Sequence, residues 1–91
     1  MPCCISINEI AGHYSPCPDD STKLKTEDLV KIEVGVHIDG FAANAGHSII
    51  VGGKANGKAA DVLLAAYDSF LAATRSIKEG SLNQDVTAKI A

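Results

Sequence analysis

Apolar side chains occupy every second position from Val30 to Ile38, and polar or small residues stand between them. A period of two is typical of a strand with one face buried. Asp39-Gly40 ends this run, and a second run of apolar and small residues follows from Phe41. Because Asp-Gly favours the two-residue type I′ turn that joins antiparallel strands, the pattern predicts a β-hairpin.

Two segments precede the hairpin. CCISINEI, residues 3–10, has the composition of a short strand. GHYSPCPDDST, residues 12–22, is rich in Gly, Pro, Asp and Ser, which favour turns over regular structure. We therefore expect a strand followed by an exposed loop.

A different period begins after the glycine-rich segment GGKANGK, residues 52–58. Apolar residues recur at steps of three and four, which predicts an amphipathic helix from about Lys58 to about Ile77: Ala59, Leu63, Ala66, Phe70, Ala73 and Ile77. Asp61 is expected in its first turn and Gly80 at its end. Ser81 and Gln84 resemble a capping box, so a second helix should begin near Asn83 and be cut off at Ala91. The predicted class is α+β.

Composition and charge narrow the choice of function. The chain has 91 residues, enough for one small domain, and 46% of them are hydrophobic. Its formal charge of −3 means that the chain has no excess of basic residues with which to bind nucleic acid. The longest apolar stretch is interrupted by charged residues and is too short to span a membrane. Three cysteines and no signal-peptide pattern indicate a reducing, intracellular compartment.

The hairpin predicts which side chains share a face. With a two-residue turn at 39–40, partner numbers add up to 79, so Glu33 faces Gly46 and Gly35 faces Asn44. Glu33 and Asn44 become diagonal neighbours, roughly 7 to 8 Å apart at the backbone. The opposite face is the expected core face: Ile32, Val34, Val36, Ile38, Phe41, Ala43, Ala45 and His47.

Two acids at the diagonal positions would hold a divalent cation well. Asn44 instead offers a neutral carbonyl oxygen, and Glu33 is one methylene longer than Asp. The residues alone leave open a plainer interpretation, in which Glu33 and Asn44 are the solvated side of a hairpin.

Three segments together resemble the methionine aminopeptidase-like superfamily, which has the pita-bread fold: ISINEIAGHYSP, EDLVKIEVGVHIDGFAAN and ADVLLAAYDSFLAATRSIKEGSLNQDVTAKIA. The resemblance covers nearly the whole chain and is closest to the non-catalytic, proliferation-associated branch. It implies that residues 1–91 are a single partial domain, the N-terminal part of a pita-bread domain whose C-terminal half is absent.

The resemblance also implies roles for three residues. Active type 2 methionine aminopeptidases have an Asp at each position that matches Glu33 and Asn44, and both bind a two-metal centre. Asn at the second position is typical of the proliferation-associated branch, whereas Glu at the first departs from both groups. His13 matches a pocket histidine that assists the substrate, and the remaining His and Glu ligands would fall beyond Ala91. The resemblance thus implies a vestigial pocket of His13, Glu33 and Asn44, with no catalytic residue, metal or cofactor.

For function, the resemblance implies a binding or regulatory module that associates with ribosomes, structured RNA and regulatory proteins in cytoplasm and nucleus. The acidity of the segment does not itself support RNA contact. Exposed strand edges would favour oligomers. The alternative is a metal-dependent methionyl aminopeptidase with an altered site, in which His13 and Glu33 are the surviving functional groups.

Three rival sites are weaker. Gly52, Gly57 and Lys58 match the phosphate-binding G-x-x-x-x-G-K, but Ala59 replaces its hydroxyl residue. A zinc site of Cys3, Cys4, His13 and Cys17 is disfavoured because adjacent cysteines on a strand point to opposite faces. Ser15 and Ser48 lack a placed base, and His37 and His47 are assigned no role.

Overall fold

A computed structural model describes residues 3–53 and 56–91 of the chain. The chain divides into two compact units, one up to residue 55 and one from residue 56. The first contains three strands, β1 (Cys3–Ile7), β2 (Leu29–Ile38) and β3 (Phe41–Ile50). The second contains two helices, α1 (Gly57–Ser76) and α2 (Asn83–Ile90).

The strands form an antiparallel sheet in the order β1-β2-β3. Glu33 faces Gly46 and Gly35 faces Asn44, so the predicted register is confirmed. Both residues of the turn have the positive φ angles that type I′ requires, 52° at Asp39 and 86° at Gly40. The turn therefore sets the register from which the site is built.

The expected core face is only partly buried, so this prediction is wrong for the turn end of the hairpin. Val30 is 1% exposed, but exposure along the same face rises to 49% at Val34, 66% at Ile38 and 82% at Phe41. His47 is exposed as well. Within the described part of the first unit, β1 extends only to the partner of Val34, and no third strand lies beside the last residues of β2.

The polar face, in contrast, is buried where it meets β1. Cys4 pairs with Glu33 and Ser6 with Lys31, so all four side chains lie on one face. Cys4 and Ser6 are both 0% exposed. The loop of residues 8–28 returns along β1 and contacts this face through Tyr14, whose N–H donates to Ser6 Oγ at 3.2 Å.

α1 lies one residue from its predicted position at each end, and two details of the prediction are wrong. The helix begins at Gly57, so Asp61 lies beyond the first turn, which contains no acidic residue. The helix ends at Ser76 with Ile77 as its C-cap, so Gly80 lies in the following turn, where its φ is 81°. The predicted apolar face of α1 is also more exposed to solvent than expected, as the 61% exposure of Phe70 shows.

α2 begins at Asn83, as predicted, but without the capping box. Its N-cap is Leu82, and no side chain caps it by a hydrogen bond. α1 and α2 pack together, and Ser69 Oγ donates to the Ile90 carbonyl at 3.5 Å. Among the described residues, neither helix has the length and hydropathy needed to cross a membrane.

The turn gives a direct test of the register. Replacing Gly40 by Ala adds a Cβ that meets nothing within 4 Å, so its cost comes only from the positive φ. We expect a loss of about 1 kcal/mol in the free energy of unfolding, measured by urea denaturation.

The matched control is Gly46→Ala in the same hairpin. Its Cβ would lie 3.8 Å from the Ile32 carbonyl oxygen, an ordinary contact at a position without positive φ. This variant should be neutral or slightly stabilising. An equal loss in both variants would contradict the turn assignment.

Candidate functional site

The polar face of the hairpin forms one wall of a shallow hollow of about 280 Å³. β2 contributes Glu33 and β3 contributes Asn44, as the register requires. The hollow is lined by His13, Glu33, Val34, Asn44, Ala45 and Gly46. All three residues that the sequence singled out therefore line one hollow.

His13 reaches the hollow from the loop and contacts Glu33 twice. Its backbone N–H donates to Glu33 Oε2 at 2.9 Å, and its ring Nδ1 lies 3.5 Å from Glu33 Oε1. The imidazole is 81% exposed, whereas the Glu33 side chain is 33% exposed. His13 adopts a left-handed conformation, with φ of 60°, which is uncommon for a residue with a Cβ.

Main-chain bonds fix the position of this part of the loop against β1. The Ile5 N–H donates to the Tyr14 carbonyl at 2.8 Å, and Tyr14 donates its own N–H to Ser6. Sequence reasoning assigned Ser6 no role, although its alternation with Cys4 places it on the polar face. The segment before and including Tyr14 is thus attached to two strands, β1 through Ile5 and Ser6 and β2 through Glu33.

The two ends of the loop are joined by Asn8 and Asp28. The Asn8 Nδ2 donates to Asp28 Oδ1 at 3.0 Å, and Asn8 Oδ1 accepts the Leu29 N–H at 2.9 Å. Lys25 donates its N–H to Asp28 Oδ2 at 2.8 Å. This backbone bond, followed by the Asn8 bond, lowers the pKa of Asp28. Asn8 has a φ of 50°, which Asn tolerates better than most residues.

A second carboxylate, Asp20, braces the middle of the loop. Its Oδ1 accepts the Thr22 N–H at 2.9 Å and its Oδ2 accepts the Tyr14 hydroxyl at 2.7 Å. Bonds from the Thr22 side chain, the Tyr14 hydroxyl and the Thr22 N–H lower the pKa of Asp20 from 3.8 to about 2. Sequence reasoning missed Asp20, although an Asp two residues before a loop N–H is the signal of an Asx turn.

The cysteines are not brought together as a zinc site in the described part of the chain. Cys3 and Cys17 are exposed and Cys4 is buried, which fits side chains on opposite faces of β1. Burial raises the pKa of the Cys4 thiol, and the charge of Glu33 raises it further. Within residues 3–53 and 56–91, no three His, Cys, Asp or Glu side chains form a group that could hold a metal ion.

The remaining candidates lie outside the hollow. His37 and His47 are exposed on the hairpin, Ser15 is exposed in the loop, and Ser48 faces Lys31. For the phosphate-binding pattern, Gly57 is the first residue of α1, while Lys54 and Ala55 lie outside the described residues. None of these residues shares the lining of the hollow with His13.

Among the described residues, the lining of the hollow lacks the paired carboxylates that bridge two divalent cations. Bridging two cations requires carboxylates that can share their oxygens, and the described residues supply one carboxylate, Glu33, and one amide, Asn44. Both Glu33 oxygens also face His13, one of them through a hydrogen bond.

Comparison with known proteins places this arrangement in a family. The sequence profile of metallopeptidase family M24 matches residues 2–91. The chain therefore belongs to metallopeptidase family M24, and its three-stranded antiparallel sheet and two helices are an α+β part of the pita-bread fold.

Its relatives include proteins of two kinds. The chain is 43% identical to the "ERBB-3 binding protein 1" of Arabidopsis thaliana and 41% identical to "Proliferation-associated protein A" of Dictyostelium discoideum, each over 99% of the chain. It is 36% identical, also over 99% of the chain, to a methionine aminopeptidase of Thermococcus kodakarensis. The chain spans about a quarter of the length of these relatives, 23%, 24% and 29% respectively.

The hydrogen bonds that brace the loop at Asp20 predict that the stability of the fold depends on pH. Replacing Tyr14 by Phe removes one of the bonds that lower the pKa of Asp20, so this pKa should rise from about 2 toward 3.8. A lowered folded-state pKa stabilises the fold above pH 3.8, and that stabilisation is lost as the pH falls toward 2. The variant should therefore be less stable near neutral pH and converge with the wild type below pH 2.

An NMR titration of the Asp20 carboxyl carbon measures the pKa, and thermal unfolding at several pH values measures the stability. Tyr67→Phe is the control, because Tyr67 lies on α1 in the other unit. An unchanged Asp20 titration in Tyr14→Phe would contradict the brace.

Proposed function

We propose that this chain is part of a non-catalytic member of family M24 whose pocket is vestigial and which acts by binding. The observation that carries the proposal is the donor set of the hollow, in which Asn44 replaces one acid and the carboxylate of Glu33 bonds to the main chain of His13. A two-metal aminopeptidase needs cations to activate water, and this donor set is poor for holding them.

The name of one of two similar relatives supports a binding role. One is named for binding ERBB-3 and the other for an association with proliferation, and both are more than 40% identical to this chain. By resemblance to the proliferation-associated branch, the proposed partners are ribosomes, structured RNA and regulatory proteins, in cytoplasm and nucleus. The formal charge of −3 adds no support for RNA contact by this segment. We further propose that residues 1–91 are one part of a larger pita-bread domain.

A second candidate is a methionyl aminopeptidase with an altered metal site. It is favoured by the 36% identity to the Thermococcus methionine aminopeptidase, which extends over 99% of the chain. In that case His13 and Glu33 would be the surviving functional groups, and Glu33 would still contribute one carboxylate to a cation.

Metal content and peptide cleavage distinguish the two candidates. The purified protein, supplied with cobalt, manganese or zinc, should retain no stoichiometric metal by mass spectrometry and should not cleave a methionyl peptide. A methionine aminopeptidase assayed in parallel provides the positive control. Stoichiometric metal together with turnover would overturn the proposal.

Restoring both acids tests the geometry of the hollow. The double variant Glu33→Asp with Asn44→Asp adds a second negative charge across the diagonal, so the affinity for Mn²⁺ should rise by about tenfold or more, which corresponds to about 1.4 kcal/mol. Paramagnetic broadening of the amide signals of β2 and β3 measures the affinity. Glu33→Asp with Ala43→Asp is a control that adds the second acid on the opposite face of the hairpin, and an equal gain there would count against the register.

A further inference from the structure

The carboxylate of Glu33 lines the hollow and contacts the loop at His13. Among the described residues, its contact with His13 is the one pairing of a carboxylate with a basic side chain within 4.0 Å. Lys31 lies on the same face two residues earlier, but its Nζ donates to the Asn8 carbonyl at 2.7 Å. The nearest cation on β2 is thus engaged elsewhere, and Glu33 is directed to His13.

From this geometry we infer that Glu33 is a clamp that holds the main chain of His13 across the hollow, and that a closed clamp and a cation bound to Glu33 exclude each other. The inference goes beyond the proposed binding role, because it assigns Glu33 a positioning task that does not depend on the partner.

The clamp depends on the length of the side chain. Tyr14 is anchored on the outer edge of β1 by Ile5, whereas Glu33 projects from β2, the next strand. A contact between His13 and Glu33 must therefore bridge the width of about one strand, roughly 4.8 Å. Shortening Glu to Asp removes about 1.5 Å of reach, which takes the 2.9 Å bond out of hydrogen-bond range unless the loop moves.

The clamp also accounts for the backbone of His13. A φ of 60° at a residue with a Cβ needs surrounding contacts to maintain it. The bond to the carboxylate is charge-assisted and points the N–H into the hollow, and the bond from Tyr14 to Ser6 fixes the next residue. The wall of the hollow formed by His13 is therefore held from both sides.

The direction of the N–H dipole of His13 explains why His13 and a cation would compete for Glu33. The His13 N–H presents its positive end to Glu33 Oε2, and the ring nitrogen approaches Oε1. A cation coordinated by these oxygens would lie against the same positive end. A cation on the lone pairs of Glu33 that face His13 therefore requires that His13 moves away.

Two single variants separate the clamp from a charge effect. Glu33→Gln keeps the length and a carbonyl acceptor but removes the charge, whereas Glu33→Asp keeps the charge but removes the reach. For the clamp, the His13 amide should stay partly protected from hydrogen exchange in Glu33→Gln and should exchange at least about tenfold faster in Glu33→Asp. A role based on charge alone predicts the reverse order, and that order would overturn the inference.

The amides of Ile5 and Tyr14 provide the internal reference, because their bonds do not involve Glu33. They should remain protected in both variants. If they lose protection together with His13, Glu33 supports the whole sheet and is not a clamp on the loop. His13→Gly keeps the N–H and relieves the positive φ, so protection at residue 13 should persist; its loss would show that the ring is the true partner.

Gly12→Ala is the matched control in the loop, since its Cβ would lie 3.5 Å from Glu33 Oε2, an ordinary contact. Protection at His13 should be unchanged. Addition of Mn²⁺ completes the test: broadening at residue 33 should be weak in the wild type and accompanied by faster exchange at His13. Broadening without any change at His13 would refute the competition. These readouts need neither a partner nor peptide cleavage, so the clamp and the proposed function can fail independently.

Discussion

The register of the β-hairpin is the constraint on which the site depends. The turn at Asp39-Gly40 needs two positive φ angles and thereby fixes Glu33 opposite Gly46 and Asn44 opposite Gly35. Because side chains alternate, a slip by one residue would move Glu33 and Asn44 to opposite faces. The hollow would then lose one of its three polar groups. A local feature of two residues therefore controls the positions of Glu33, six residues before Asp39, and Asn44, four residues after Gly40.

The loop of residues 8–28 turns this two-stranded surface into a hollow with a third wall. It is closed at its base by Asn8 and Asp28, braced in the middle by Asp20, and attached to β1 through Tyr14. These bonds lie largely at exposed positions, where each contributes modestly. Their value is geometric, since together they place His13 over Glu33. The same anchoring covers Cys4 and Ser6, so the polar face is buried beside β1 while the apolar face is open near the turn.

Membership of family M24 gives this arrangement its context. The family relationship joins binding proteins and aminopeptidases in one fold, and the chain matches both kinds of relative over nearly its whole length. By the resemblance to active methionine aminopeptidases, catalysis would need two carboxylates of the hairpin to bind cations. In this chain an amide occupies one position, and the carboxylate at the other bonds to the chain's own backbone. The proposed binding role rests on that difference in donors.

The sequence by itself determined the strands, the hairpin register, the turn type, both helices within about one residue, and the identity of the three polar residues in the hollow. The strands, the register, the turn and the helices follow from periodicity and from turn chemistry, which act over a few residues. His13 was instead singled out by the resemblance to the family. The tertiary structure alone decided which oxygen of Glu33 meets His13, that Asp20 and Ser6 hold the loop, and that the apolar face opens toward Phe41. The structure of the described residues also showed that the capping box expected at Ser81 and the acidic first turn expected for α1 are absent. The physical reason is that such contacts join residues up to 20 positions apart, and no local pattern records where a loop returns to the sheet.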